Sequence, residues 1–337
     1  TRFPLSPHLP LTRHQLIDGA TLRHVQWYFD NLLPEENQRI LLANDARLDA
    51  ADAFGLLAYY GAESAGSVTL LPPEFIQQPA GNLRPLADVT LSARIRQMPK
   101  TPLTHAAVKR MSLAGAQHKL AVVLDNGTLF EPVGARPSTH ILKPDHPDPD
   151  YPHSVANEWF VMRLARKIGL DVPPVHRRYV PEPVYLIDRF DRVLHKNHWQ
   201  RRHVIDACQL LGLDRSFKYV QGSMDNLAAV AKACRSPAVA RTRLFSWLVF
   251  NVLTGNGDAH LKNLSFIVSH EGVQLAPHYD LLSTACYDSR SFDKPGWPEQ
   301  TTLAWPIMGE QRFANINQAL LLDAGAKLNL AKTTAKR

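Results

Sequence analysis

The sequence is poor in cysteine. Cys208, Cys234 and Cys286 are odd in number and far apart, which excludes a disulfide framework and gives no support to a cysteine-ligated zinc site; all three are expected as small core residues. Apolar runs long enough to cross a bilayer, roughly 18 residues, are missing as well. The opening TRFPLSPHLPL lacks a signal-peptide core, so the chain is expected in the cytoplasm with no membrane partner. There is no internal repeat and no low-complexity tract.

What is present reads as an ordinary folded chain. Its 337 residues, 45% hydrophobic and 20% charged, can bury a large core and by length suggest about two domains. Lys and Arg outnumber Asp and Glu by 38 to 31, a net charge of +7. Basic residues recur at Arg177-Arg178, at Arg201-Arg202-His203 and from Lys332 to Arg337, but no single stripe carries them all. A solvated basic face is the plain reading, with phosphate-bearing ligands or an acidic partner left open.

The first 80 or so residues mix short helical patterns with the alternating segment SVTLLPPE, and a Pro-studded, basic connector is expected from about Gln77 to Lys109. From there the period becomes that of strands. LAVVLD and TLFEPV, joined by Asn126-Gly127, read as a hairpin, because that pair supplies the positive φ angles of a tight turn. HILKP is the next expected strand. HSVANEWFVMRLARKIGL has helical spacing, from Trp159 and Phe160 through Met162, Leu164 and Ile168, with Gly169 as its stop. HRRYV and VYLIDRF look like strands, after which VIDACQLLGL, MDNLAAVAKAC and VARTRLFSWLVFNVL carry a helical pattern to Gly255. Strands with one helix, then helices, predict a two-lobed α+β arrangement with a cleft between the lobes.

A concentrated polar stretch, GNGDAHLKN, Gly255 to Asn263, is set between an apolar helix and a hairpin pattern, LSFIV then VQLAPHYD. Protein kinases show a comparable order: a catalytic-loop Asp, an Asn five residues on that binds metal, and a second metal-binding Asp after a hairpin. Those roles would fall on Asp258, Asn263 and Asp280. Two hard oxygen ligands suit Mg²⁺ on nucleotide phosphates, and a free carboxylate suits the acceptor hydroxyl proton. Taken alone, the same residues also suit a helix-to-strand turn.

Further motifs accompany the loop in order: MSLAGAQHKLAVV, HILKP, ANEWFVMRLARKIGLDVP, LIDRFDR, ACQLLGLDRSFKY, then GNGDAHLKN and HYDLLST. Together, over roughly residues 108 to 290, they resemble the HipA-type serine/threonine kinase family of bacterial toxin-antitoxin systems. WYFDNLLPEENQR to GSVTLLPPE also looks like the later part of that family's small N-terminal subdomain. The resemblance implies a two-lobed protein-kinase-like fold with a strand-rich N-terminal lobe and a mainly helical C-terminal lobe. Residues 1–80 would be a partial N-terminal subdomain, 81–192 the nucleotide-binding lobe, and 193–337 the catalytic lobe with its metal-binding hairpin.

It also implies roles for named residues. Asp258 would be catalytic; Asn263 and Asp280 would hold Mg²⁺; Lys143 would contact the phosphates of ATP, and Glu158 on the following helix would pair with it. LIDRFDR would be the connector that meets adenine, with Phe190 packed on the base and Asp188 standing where the family commonly has Glu. Ser112, Ala114 and Gly115 lie in the expected phosphate-covering loop, and Ser112 matches a serine that some members autophosphorylate. With one glycine, that loop is neither a Walker A sequence nor an ordinary kinase glycine loop. His260 and Lys262 would bond locally or touch phosphate, His260 with the more structural role.

The expected partners are a protein substrate, an aminoacyl-tRNA synthetase foremost, a small helix-turn-helix antitoxin, and DNA indirectly through that antitoxin. Two other readings stay open: a kinase for a small molecule or lipid headgroup, and a catalytically silent DNA-binding module. The family usually has a fuller N-terminal subdomain and a longer helical lobe, and Thr1 in place of Met suggests a start inside the gene product or after processing.

Overall fold

The computed structural model describes residues 3–12, 14–75, 81–196, 198–287 and 297–336; Thr1, the start of the connector at Gln77 and Arg337 lie outside them. Three short helices open the chain, α1 (His24–Asp30), α2 (Glu36–Ala46) and α3 (Ala53–Tyr60). Their apolar faces, including Tyr28, Leu42 and Leu56, join the core of the C-terminal half rather than making one of their own.

Six strands follow: β1 (Asn82–Pro85), β2 (Leu120–Asp125), β3 (Thr128–Val133), β4 (His140–Pro144), β5 (Val175–Tyr179) and β6 (Pro183–Asp188). They form one antiparallel sheet in the order β1-β3-β2-β4-β6-β5. The β2–β3 turn has Asn126 at φ 47° and Gly127 at φ 80°, the two positive angles its sequence called for. The basic stretch expected as a plain connector holds β1 and the helix α4 (Asp88–Arg96) instead. Its charges misled because they are consumed internally: Arg94 and Arg84 converge on the buried Glu131, at 2.7 and 3.0 Å, while Leu91 and Ile95 enter the sheet core.

Helix α5 (Ser154–Lys167) crosses between β4 and β5. Its buried face is Val155, Glu158, Val161, Met162 and Ala165, whereas Phe160, Leu164 and Ile168, which contribute to its helical pattern, are exposed. After β6 the chain was expected to turn helical at once. Three short strands come first, β7 (Arg192–His195), β8 (His198–Arg201) and β9 (Val204–Asp206), so VID is strand and not helix. β9 pairs with a strand some sixty residues later in the chain, a partnership that local periodicity cannot signal. Asp206 then caps α6 (Ala207–Leu211) in a reciprocal capping box with Gln209.

Helices α7 (Met224–Ala233) and α8 (Pro237–Thr254) lead to the hairpin β10 (Ser265–Ser269) and β11 (Gly272–Leu275), which completes the sheet β11-β10-β9. A second hairpin, β12 (Thr302–Ile307) and β13 (Glu310–Arg312), and helices α9 (Gln318–Lys327) and α10 (Lys332–Ala335) finish the chain. Cys208 and Cys234 are core residues as expected, but Cys286 is exposed. No helix among the described residues is long and apolar enough to cross a membrane. The result is a strand-rich lobe and a mainly helical lobe with cavities between them.

Candidate active site

The polar loop begins where α8 ends. Gly255 takes a left-handed conformation, φ 65°, and a Cβ there would lie 2.6 Å from that of Ala285. Asn256 is buried and works in both directions: its Nδ2 donates to Asn251 Oδ1 at 2.7 Å, and its Oδ1 accepts the Asp258 N–H at 3.0 Å. Thr284 accepts the Gly257 N–H at 2.8 Å and donates to the Gly255 carbonyl at 3.0 Å. Asn263 donates to the Asp258 carbonyl at 2.8 Å, and Trp305 Nε1 to that of Ala259 at 3.0 Å. These bonds, made within the loop and to Asn251, Thr284 and Trp305, hold the backbone and present the Asp258 carboxylate, which accepts from Tyr219 Oη at 2.5 Å.

Across the cleft, Lys143 on β4 donates to both oxygens of Glu158 on α5, at 2.8 and 3.0 Å, and also meets Asp280. Burial opposes the charge on Lys143, but Asp280 and Glu158 outweigh it and hold the ammonium above its ordinary pKa. Burial likewise opposes ionisation of Asp280, and Lys143 and Lys119 override it, so its carboxyl stays well below the usual range. Burial pushes Glu158 upward against the pull of Lys143. Asp280 adopts φ 53°, a left-handed backbone rare outside glycine, and such strain is held where the surroundings demand a particular side-chain direction.

Two cavities share this cluster. A polar one of about 310 Å³ is lined by Gly115, Lys119, Asp258, His260, Asn263 and Asp280 among others. A mostly apolar slot of about 130 Å³ lies behind it, between Leu113, Ala114, Ile141, Ile187, Phe190 and Tyr279. Lys119, Asp280 and no third residue line both, so they mark the junction. An apolar slot meeting a polar chamber lined by cations and acids suits a base with a phosphate tail. For a divalent cation the donor set fits: Asn263 turns its NH₂ to the Asp258 carbonyl, leaving its amide oxygen and the ionised Asp280, both hard ligands, toward the chamber.

The loop from Ser112 to Lys119 closes the chamber and is clasped by the opening helices. Ser112 N–H donates to the Glu63 carbonyl at 2.8 Å and its Oγ to that of Leu32 at 2.7 Å; the Glu35 N–H donates to the Gly115 carbonyl at 3.3 Å. Ser112 is fully buried and lines neither cavity.

The structure therefore brings Lys143, Glu158, Asp258, Asn263, Asp280, Ala114, Gly115 and Phe190 around the two cavities. His260 lines the larger one, its pKa lowered by burial, with a buried Nδ1 that has no partner among the described residues. Lys262 is a correction: its Nζ is spent on Asp206 at 2.6 Å and on Asn31 Oδ1 at 2.8 Å, tying α6 to the opening helices, and cannot reach a phosphate. Asp188 touches the rim of the slot, but its carboxylate is directed to His140 and His176. Sequence reasoning passed over Lys119, Tyr219, Lys218, Asn256 and Thr284. Each lay inside a quoted motif, Lys119 in MSLAGAQHKLAVV, Lys218-Tyr219 at the end of ACQLLGLDRSFKY, Asn256 in GNGDAHLKN and Thr284 at the end of HYDLLST, but nothing in the motifs singled them out.

Comparison with known proteins agrees with the two-lobed fold. The HipA-like C-terminal domain family matches residues 111–337, and the HipA N-terminal domain family matches residues 1–71. The chain is 36% identical over 306 residues to the protein named "Putative kinase Y4mE" of Sinorhizobium fredii, covering 86% of this chain and 70% of that one. It is 32% identical over 305 residues to the serine/threonine-protein kinase toxin HipA of Shewanella oneidensis, covering 85% and 68%. Among solved structures, the Shewanella oneidensis toxin-antitoxin complex of HipA, HipB and operator DNA superposes with a TM-score of 0.81 at 29% identity, over 99% of this chain and 78% of that one.

Proposed function

This chain belongs to the HipA family of kinase toxins, with its two-lobed kinase-like fold, and from that premise we propose that it is an ATP- and Mg²⁺-dependent serine/threonine protein kinase. The observation that carries this reading is the junction of the apolar slot with the polar chamber at Lys119 and Asp280, with Asp258 and Asn263 on the chamber wall. Adenine would occupy the slot against Phe190 and Tyr279, whose rings lie 5.7 Å apart. Lys143, kept charged by Glu158, and Lys119 would neutralise phosphate charge; Asn263 and Asp280 would hold Mg²⁺, which supplies Lewis-acid stabilisation of the transferring phosphoryl group. Asp258 would orient the acceptor hydroxyl and take its proton, with Tyr219 fixing one of its carboxylate oxygens.

A protein hydroxyl is the acceptor in this reading, an aminoacyl-tRNA synthetase the substrate class, and a small helix-turn-helix antitoxin the partner through which DNA is met. Autophosphorylation at Ser112 fits only if the loop first leaves its clasp, because the hydroxyl faces the Leu32 carbonyl and neither cavity. Asp258→Asn is the direct test. The substitution is isosteric and leaves Asn263 and Asp280 in place, so melting temperature and ATP affinity should hold while phosphate incorporation falls by about 10² or more. Near-normal incorporation by the variant would remove Asp258 from the chemistry.

A further inference from the structure

Outside the cleft, three side chains converge on one face of the six-stranded sheet. His140 on β4 lies opposite Asp188 on β6, and His176 on β5 lies opposite Leu186, two residues before Asp188 and so on the same face. His140 Nε2 is 3.1 Å and His176 Nε2 3.2 Å from the same atom, Asp188 Oδ1. All three ligand atoms lie within 4.8 Å of one another, the one such grouping of His, Cys, Asp or Glu among the described residues.

Ligands bound at about 2.0–2.1 Å to a tetrahedral ion are separated by about 3.3 Å. The two nitrogen-to-oxygen distances here are already close to that. His140 is oriented from behind: its Nδ1 meets Thr139 Oγ1 at 2.7 Å, which fixes the ring with Nε2 toward Asp188, as outer hydrogen bonds do for metal-binding imidazoles. The two rings are 6.1 Å apart and tilted by 56°, so they converge on the carboxylate and do not stack on each other. Side-chain exposures of 12% for His140, 49% for His176 and 39% for Asp188 leave one side open for entry and for a water ligand.

We propose that His140, His176 and Asp188 form a binding site for a first-row transition-metal ion, Zn²⁺ by ligand chemistry, with water completing its shell. Two imidazoles and one carboxylate suit zinc, whereas Mg²⁺ demands oxygen ligands. The bound ion cross-links β4, β6 and β5 at the point where β6 passes into the connector between the lobes. Ile187, Asp188 and Phe190 of that connector line the apolar slot, so an occupied site stiffens one wall of it. Zinc and nucleotide then affect each other's affinity reciprocally. This coupling, unlike the metal site itself, rests on the reading of the slot as the adenine site.

The competing account is a hydrogen-bonded set in which one carboxylate oxygen accepts from two Nε2–H groups and no ion binds. Tag-free, chelator-treated protein titrated with Co²⁺ separates the two. The site predicts one Co²⁺ with the intense visible band of a four-coordinate, nitrogen-ligated ion, displaced by Zn²⁺. His140→Ala and His176→Ala should each abolish the band or weaken binding by about 100-fold or more, since loss even of an outer-shell partner costs up to that much. Co²⁺ at the oxygen ligands Asn263 and Asp280 would survive both substitutions and is thereby told apart. Absence of the band at saturating Co²⁺, or a band unchanged in both folded variants, overturns the site; should the variants fail to fold, the wild-type band alone decides. ATP affinity measured with and without Zn²⁺ reads the coupling by itself, and no change there removes the coupling while leaving the metal site standing.

Discussion

Lys143 is held between two carboxylates, and replacing it with methionine tests the electrostatics of the cleft. Its Nζ lies 2.8 and 3.0 Å from the Glu158 oxygens and also contacts Asp280; Lys143 and Glu158 are both nearly inaccessible to water. Lys143→Met keeps the apolar stem and removes the charge, leaving Glu158 and Asp280 facing each other with only Lys119 to offset them. Removing one partner of a buried ion pair costs about 3–5 kcal/mol. The carboxylate pair can relieve part of that by keeping a proton to higher pH than it does beside the ammonium. A carboxyl whose folded pKa is raised stabilises the native state at low pH and loses that contribution as pH rises toward the folded value. The deficit of the variant against wild type should therefore widen from the ordinary carboxylate range, about pH 4, toward neutrality and above, by up to about 1.4 kcal/mol per pH unit. Urea denaturation of both proteins at about pH 5 and about pH 8 measures it. A deficit that is equal at the two values, or smaller at the higher one, would refute the argument.

Further outcomes follow from other contacts. A phosphate on Ser112 would carry about −1.5 to −2 charges into a site where the hydroxyl is fully buried against the Leu32 carbonyl, so the loop should be expelled and ATP affinity lost; protease sensitivity of residues 112–119 and ATP titration would show both, and phosphorylated protein binding ATP as Ser112→Ala does would contradict this. Lys119→Met removes a cation whose hydrogen bond is to the Ala114 carbonyl at 2.6 Å, so ATP affinity should drop about tenfold or more with little change in urea midpoint. Lys262→Met should do the reverse, costing about 3–5 kcal/mol of stability through the stranded Asp206 while the folded protein retains its ATP affinity by calorimetry.

Where a signal is carried by neighbours in the chain, it could be read in advance. Asn126-Gly127 requires its turn whatever surrounds it, and the helical spacing of ANEWFVMRLARK makes α5 whatever it packs on. Which face of α5 is buried could not be read, because Glu158 goes inward only when Lys143 waits there, while Phe160 is left outside. β1 and α4 were hidden by arginines whose partner, Glu131, stands some forty residues away. Of the candidate site, Asp258, Asn263 and Asp280 were legible as a spaced group of oxygen ligands beside a helix end.

The amino-acid sequence alone determined the periods, the turns, the helix stops and the chemical character of the polar loop, since each depends on a few adjacent residues and their φ preferences. Tertiary structure decided the use made of those groups. Lys119 and Lys262 carry the same charge on the same stem, yet one reaches both cavities and the other is buried in a knot with Asp206 and Asn31. His140, His176 and Asp188 are scattered over forty-nine residues and meet only because β4, β6 and β5 lie side by side in register. Electrostatic and ligating interactions act over a few ångströms of space and are indifferent to separation along the chain, so no local pattern can announce them.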